Sequence, residues 1–332
     1  MLEALKRHID AALHPAGYHG HGKKPPFFEG WYVKIVDARE ERRFALIPGI
    51  FLALGDRHAF VQVLDGLSGE ASYHRYAEGA FSASPWGFDV NIGGSVFSER
   101  GVRLAIEDST RPISGEVSFH GLSPWPVTLA SPGAMGPLGW LPFLECSHGV
   151  VSFDHALTGA LTVGSETIDF TGGRGYIEKD WGEAFPSAYV WQNSNHFEGQ
   201  GGGSASLMAS IAVIPSVVPV RGFIVGLARM GRLDTFATYT GARVEKLAVT
   251  DEHVEWVVRG SGKRLEMVAT RAAGTVLHGP VRDEMRPHVE ETMKATIAVK
   301  LSSTRSGEVL FRGVGRCAGL EVHGDIERLL GM

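Results

Sequence analysis

The feature that most limits what this chain can fold into is a two-residue rhythm. Phe153, His155, Leu157, Gly159, Leu161 and Val163 fall on one side of an extended chain, and Asp154, Thr158 and Thr162 on the other. That is the pattern of a strand with one buried face. The same alternation recurs at Phe88/Val90/Ile92, Val102/Leu104/Ile106, Val254/Trp256/Val258, Leu265/Met267 and Ile297/Val299/Leu301, with Gly or charged clusters between. Many short strands without long helices indicate an all-β protein of the sandwich or barrel kind. Glycine points the same way: 43 of the 332 residues, about 13% against a usual value near 7%, without a collagen-like period, which implies tight turns and bulges. The one helical signal is at the start, where Leu2, Leu5, Ile9 and Leu13 form a short amphipathic stripe. A Gly-, Pro- and His-rich run over residues 14–26 follows and reads as a linker.

The remaining arithmetic is mostly exclusion. A chain of 332 residues implies one large β structure or two consecutive domains. With 44% hydrophobic and 21% charged residues, it is neither intrinsically disordered nor an integral membrane protein. Lys and Arg number 32 against 37 Asp and Glu, so nucleic acid is not an expected partner. Only Cys146 and Cys317 are present, which argues against a disulfide framework and a thiolate zinc site. No secretory h-region or stretch of eighteen apolar residues occurs, so a cytoplasmic protein is expected. The leading helix is short and mixed in charge; docking on the body is expected, with peripheral membrane contact left open. Among the 14 histidines, His19 with His21, and Glu145 with His148, were weighed as metal ligands. Neither pair shows the three or four converging groups a site requires, so no metal is expected. Phosphate loops, nucleophile elbows, HExxH and GxGxxG fingerprints are all missing, and no cofactor is expected.

A weak internal echo suggests two units. The segments beginning at Trp31, Arg43 and His58 are matched in pattern by those beginning at Tyr189, Ala205 and Gly222, at an offset near 160 residues. The expected division is residues 1–24 as helix and linker, 25–172 as a first barrel and 173–332 as a second. The boundary falls at the cluster Gly172-Gly173-Arg174-Gly175.

The chemistry concentrates between Gly175 and Phe197. In an extended chain Glu178 and Asp180 share one face while Lys179 and Trp181 take the other. Further on, Tyr189, Trp191, Asn193, Asn195 and Phe197 fall on one side, a stripe of rings carrying two carboxamides. Buried Asn must satisfy donor and acceptor alike, so the stripe suggests a polar-tipped cavity. The competing reading is a solvated strand with a Glu178/Lys179 ion pair. A second block, FFEGWYVKI, sets Glu29, Trp31 and Val33 on one face.

Together these segments resemble the tocopherol cyclase family and its bacterial relatives. The resemblance rests on Phe28-Glu29-Gly30-Trp31-Tyr32; on Gly136-Pro137-Leu138-Gly139-Trp140-Leu141-Pro142-Phe143 leading to Glu145, Cys146 and His148-Gly149-Val150; on Ile177-Glu178-Lys179-Asp180-Trp181-Gly182 and Phe185-Pro186; and on Trp191, Asn193, Asn195 and Phe197. It implies lipocalin-like antiparallel β-barrels, similar to those of carotenoid hydratases, around an apolar ligand. The implied substrate is a prenylated quinol, terpenoid or polyene. The implied chemistry is proton addition to an alkene and trapping of the cation by an oxygen. That requires a carboxylic acid held neutral by burial or a second carboxylate, in a dry site walled by rings. Asp180 is the expected donor, with Glu178 raising its pKa or orienting it, and Lys179 pointing away. Asn193 and Asn195 would hold the substrate oxygen, and Trp31, Tyr32, Trp181, Tyr189, Trp191 and Phe197 the rest of the ligand. The plant cyclases tend to carry Asn at the position of Asp180 and Gln at that of Asn193, whereas related hydratases use a carboxylic acid, which favours Asp180; Glu29 is the alternative acid. A hydratase, a pericyclic cyclase acting by shape alone and a non-catalytic carrier of a hydrophobic metabolite remain open alternatives.

Overall fold

The structure, a computed structural model, describes residues 2–142, 144–200, 204–215 and 219–332, apart from the side chains of residues 2–5 and 198–200. Phe143 and the side chains of Leu2 and Leu5 therefore lie outside the described residues. Two antiparallel sheets account for most of the chain. The first contains β1 (Phe27–Val36), β2 (Arg43–Leu52), β3 (Arg57–Asp65), β4 (Ala71–Ala77), β5 (Phe81–Ala83), β6 (Asp89–Ile92), β7 (Ser95–Ser98), β8 (Gly101–Ile106), β9 (Ile113–His120), β10 (Cys146–Val163), β11 (Glu166–Asp169) and β12 (Arg174–Gly182). The second contains β13 (Ala188–Ser194), β14 (His196–Gln200), β15 (Ala205–Ile214), β16 (Val220–Arg229), β17 (Arg232–Ala237), β18 (Arg243–Val249), β19 (His253–Gly260), β20 (Lys263–Thr270), β21 (Thr275–Val281), β22 (Glu284–Ser303) and β23 (Val309–Gly324). The helices are α1 (Leu2–Leu13) and α2 (Ile326–Leu330). Among the described residues no helix is long and apolar enough to cross a membrane.

The internal echo corresponds to topology. The first sheet runs β4-β3-β2-β1-β12-β10-β9-β8-β7-β6-β5, and the second β17-β16-β15-β13-β23-β22-β20-β19-β18. In each, four strands form a meander (β1 to β4, or β13 and β15 to β17), the later strands line up from the opposite edge, and a late strand (β12 or β23) inserts beside the first (β1 or β13). Each sheet has its own apolar core, one including Trp31, Val61, Phe97 and Ile177, the other Val190, Trp256, Met267 and Ile297.

Two expectations need correction. Closed barrels are not formed. The edge strands β4 and β5 follow one another through a 3-10 turn at Glu78–Ala80, and β17 and β18 through another at Thr238–Thr240. Among the described residues no ladder joins either pair of edges, because the chain turns the corner through a helical turn instead of a paired hairpin.

The boundary at residue 172 also moves. The two compact units are residues 1–185 with 277–288, and 186–276 with 289–332. The Gly172–Gly175 cluster is a turn inside the first sheet, since β12 pairs with both β1 and β10. Gly173 is required there by close approach: a Cβ on it would stand 2.1 Å from the Val36 carbonyl oxygen.

The run after α1 is not a loose linker. The Trp31 indole donates a hydrogen bond to the Ala16 carbonyl (3.0 Å), and the Gly17 carbonyl accepts one from Lys179. The helix itself docks on the body through a His8 hydrogen bond to the Trp140 carbonyl at 2.8 Å.

Candidate active site

β12 lies at the centre of the first sheet, and strand alternation sends its charges to opposite faces. Lys179 points into the core, where it is fully buried and ion-paired with Glu29. Its ammonium sits 4.5 Å from the centre of the Trp31 ring and 4.8 Å from that of Trp181. His19 stacks on Trp181 at 4.3 Å, and its backbone N–H donates to Glu29 at 2.8 Å. Burial alone would raise the Glu29 carboxyl pKa, but Lys179 and His19 outweigh it and hold it below the usual value. Burial pulls Lys179 down to about 8 against the attraction of Glu29, which leaves it charged at neutral pH. Glu29 is thus kept ionised, the opposite of what a neutral proton donor needs. Trp31 and Trp181 clamp this cation. Lys179 points away from Glu178 and Asp180 as expected, but into a structured charge cluster that sequence alternation alone did not reveal.

The other face of β12 brings Glu178 and Asp180 together with His148, which the sequence offers in the family motif and as a metal ligand but not as part of the acid site. His148 of β10 stands directly across from Asp180. Its Nδ1 is 2.9 Å from Asp180 Oδ1 and its Nε2 is 3.4 Å from Glu178 Oε2. Nδ1 is hydrogen-bonded to Asp180, whereas Nε2 lies at ion-pair distance from Glu178 without a well-formed hydrogen bond, and the two negative charges on either side favour the imidazolium form. Burial would lower its pKa, but the two carboxylates raise it to about 10. The Tyr176 hydroxyl donates to Glu178 from the same face, and Tyr32 is the cross-strand neighbour of Glu178 on β1. The side chain of Glu178 is 5% exposed and that of Asp180 30%, so Asp180 is the open end of the array. Glu145, three residues before His148 and just outside β10, does not join it. One ligand atom each from His148, Glu178 and Asp180 lie within 4.8 Å of one another, so the trio could hold a divalent cation of the N/O-preferring kind.

Next to this trio the face is aromatic. In the row His148, Asp180, Gly30, Gly49, Phe60, Arg75, each residue is the cross-strand partner of the next. Gly49 is needed because a Cβ there would stand 2.4 Å from the Phe60 ring. Phe28, Phe51 and Phe60 form a cluster that Phe185 and Met285 join. The segment Leu277–His288 crosses this face: the Gln62 side chain accepts from the His278 N–H at 2.8 Å, and the Phe185 N–H donates to the Pro280 carbonyl.

The expected stripe in the second unit divides. Tyr189, Trp191 and Asn193 share the face of β13 turned away from the core; Tyr189 donates to Glu321 at 2.6 Å, and Trp191 covers Gly319. Asn195 instead accepts at its Oδ1 from the His196 ring Nδ1, 2.8 Å away, and Phe197 packs on the second core, 5.8 Å from Phe311. The parity reverses at a bend: β13 ends at Ser194 and β14 begins at His196, with Asn195 between them. A cavity of about 300 Å³ in the first unit is lined by Leu13, Pro15, Trp86, Trp125 and Val151, and no residue from 177 to 197 contributes to it.

Comparison with known proteins supplies the family. The model described as "Tocopherol cyclase-like" matches residues 105–324. A probable chloroplastic tocopherol cyclase of Oryza sativa subsp. japonica is 23% identical over 93% of this chain and 78% of its own length. The chloroplastic tocopherol cyclase of Zea mays is also 23% identical, over 93% and 77%. Among solved structures, kievitone hydratase from Nectria haematococca aligns with a TM-score of 0.52 at 11% identity over 94% of each chain, a likeness of fold. With a family match that extends over well more than half of its length, this chain belongs to the tocopherol cyclase-like family.

Proposed function

We propose that this chain is an enzyme of the cyclase or hydratase type that protonates an alkene on the outer face of its first sheet, with ring closure on an isoprenoid quinol as the preferred outcome. The observation that carries the reading is the His148 ring set between two carboxyl groups, one buried and one open, beside a floor of phenylalanine rings.

The chemistry follows from dielectric arguments. An apolar substrate covering Asp180 strips its water, and an ion pair loses to a neutral pair as the surroundings dry. The His148 Nδ1 proton then moves to Asp180 over the existing 2.9 Å contact. The neutral carboxylic acid gives that proton to the alkene, whose π electrons form the new C–H bond and leave a cation on the more substituted carbon. Glu178, on the same face as Asp180, points its carboxyl oxygens toward that positive charge and favours it. A substrate hydroxyl oxygen supplies the electron pair for the C–O bond, and its proton returns to the Asp180 carboxylate and then to His148. A hydratase would use water in place of that oxygen. In this reading Asp180 is the donor and His148 the proton store. Glu178 acts by charge, and the fallback role of Glu29 is dropped. Tyr189, Trp191 and Asn193 have no step assigned to them.

The test is turnover of a prenylated hydroquinone in deuterated water, with mass analysis of product. Wild type should give the ring-closed product with one carbon-bound deuterium, and Asp180→Asn and His148→Gln should each lower the rate by at least about 100-fold, with Glu29→Gln far less affected per folded molecule. Full activity in Asp180→Asn would end the assignment. A hydrated product would select the hydratase form. Tight binding without product would select the carrier reading, which the cavity beside Trp86 and Trp125 favours.

A further inference from the structure

The cavity beside Trp86 and Trp125 takes no part in the chemistry above, and three pieces of chain wall it. Residues 122–127 are strapped along β10: the Phe153 N–H donates to the Ser123 carbonyl at 2.7 Å, and the Trp125 N–H to the Val150 carbonyl at 3.3 Å. Trp125 is thereby buried and stacks on Phe153, 5.5 Å away with planes 28° apart. A second wall is the chain between β5 and β6, where the Trp86 N–H donates to the Ser84 hydroxyl at 3.2 Å. The end of α1 supplies the third, with Leu13 and Pro15 in the lining and the His14 ring set edge-on to Trp86 at 5.1 Å. His14 Nδ1 donates to the Asp10 carbonyl at 2.7 Å, which fixes that ring.

Two features of the cavity differ from ordinary core packing. Trp86 is 58% exposed, whereas Trp31 and Trp256 are fully buried; a large ring left open beside a concave apolar wall has area to give to a ligand. Glu99, in the turn between β7 and β8, is the one carboxylate among the lining residues, and neither Lys nor Arg lines the cavity. Its Oε1 accepts from the Phe88 N–H at 3.3 Å, and its own N–H donates to the Phe88 carbonyl at 3.0 Å. Gly87 leaves room for that carboxylate next to Trp86, since a Cβ there would stand 3.1 Å from Glu99 Oε1. Among the described residues Glu99 forms no ion pair with Lys, Arg or His.

We infer that this cavity binds a small organic cation, an ammonium group carrying methyl or alkyl substituents. The ring systems of Trp86 and Trp125 attract positive charge and cover the methyl groups. The Glu99 carboxylate supplies the counter-charge, and Val127, Val150 and Val151 replace water around the alkyl part. A volume of about 300 Å³ suits a quaternary ammonium with a short chain. A neutral hydrocarbon would fill the same space but would leave the carboxylate and the ring quadrupoles unused. None of these residues has a part in alkene protonation, so the site stands or falls separately from that chemistry.

The experiment titrates the full chain with choline and with its neutral carbon isostere, dimethylbutanol, while the tryptophan indole N–H resonances are followed by NMR. Trp86→Phe and Trp125→Phe identify the two signals. Choline should shift both and bind about tenfold more tightly than the alcohol, the size of a partly desolvated cation–π contact. Glu99→Gln, at an exposed position, should cut that preference to about threefold or less, and Trp86→Leu should weaken choline by about tenfold. Equal binding of the two probes, binding that moves neither signal, no binding of choline at millimolar concentration, or a preference unchanged in Glu99→Gln overturns the site. Ammonium groups of this kind occur both in free amines and in lipid headgroups, and vesicles separate the two sources. Flotation with phosphatidylcholine but not phosphatidylglycerol vesicles, lost in Trp86→Leu, assigns the cation to a headgroup; choline binding without flotation assigns it to a free amine, and either result upholds the site.

Discussion

Raising the pH should weaken this protein through one side chain, and the size of the effect can be worked from contacts already described. His148 is held between Asp180 and Glu178, and its pKa stands at about 10 in place of 6.5. A group bound more tightly to its proton in the folded state adds stability in full below the unfolded value, near 6.5, and loses it as pH climbs through the folded value, near 10. The gap of about 3.5 decades, at about 1.4 kcal/mol each, gives an upper figure of about 5 kcal/mol. Asp180 is partly open to water, so screening reduces this to roughly 2–3 kcal/mol. Lys179 acts in the opposite sense: its pKa, lowered to about 8, means that stability rises with pH between about 8 and the ordinary lysine value. The clean measurement is therefore a difference. Urea unfolding of wild type and His148→Gln across pH 6 to 10 should show the gap between them closing by roughly 2–3 kcal/mol, and the His148 ring resonances should titrate near pH 10. A ring that titrates at or below 6.5, with a gap that does not depend on pH, would refute both the imidazolium and the proton store built on it.

Two further expectations concern the opposite face and the floor of the site. Lys179→Met should cost about 3–5 kcal/mol because it leaves the Glu29 carboxylate buried without its cation, whereas the pair Lys179→Met with Glu29→Gln should recover most of that loss; thermal unfolding of the single and double variants checks it. Gly49→Ala places a methyl 2.4 Å from the Phe60 ring and 2.8 Å from the Glu29 carbonyl oxygen, so overpacking of about 1–3 kcal/mol is expected, which thermal unfolding checks.

Much of the fold was legible because strand periodicity is local. The buried face of Phe153–Val163, the alternations at Val102–Ile106 and Val254–Val258, and the echo between the segments at Trp31 and Tyr189 all fall on strands in corresponding positions of the two sheets. The grouping of Glu178 with Asp180 against Lys179 was equally local, needing only an extended chain. Three features were not accessible that way. The edges of the sheets stay unpaired where a 3-10 turn replaces a hairpin. The stripe through Tyr189 breaks at Asn195 because the chain bends there between two strands that both pair with β23. The unit boundary moves because β12 finds its partners in β1 and β10, far behind it in sequence.

What the sequence determined by itself is which residues alternate, and hence that the protein is built of sheets with a dense charged and aromatic strand at the family's characteristic position. Which charges meet was decided only in three dimensions. His148 and Asp180 are 32 positions apart and His58 and Tyr73 are 15 apart; register between strands brings each pair into contact. Glu29 shows the same rule in reverse, a carboxylate whose local sequence suits an acid but whose neighbours, Lys179 from β12 and His19 from the leading segment, hold it ionised. A side chain's face is set by its own strand, but its protonation is set by the field of groups that only the folded chain assembles.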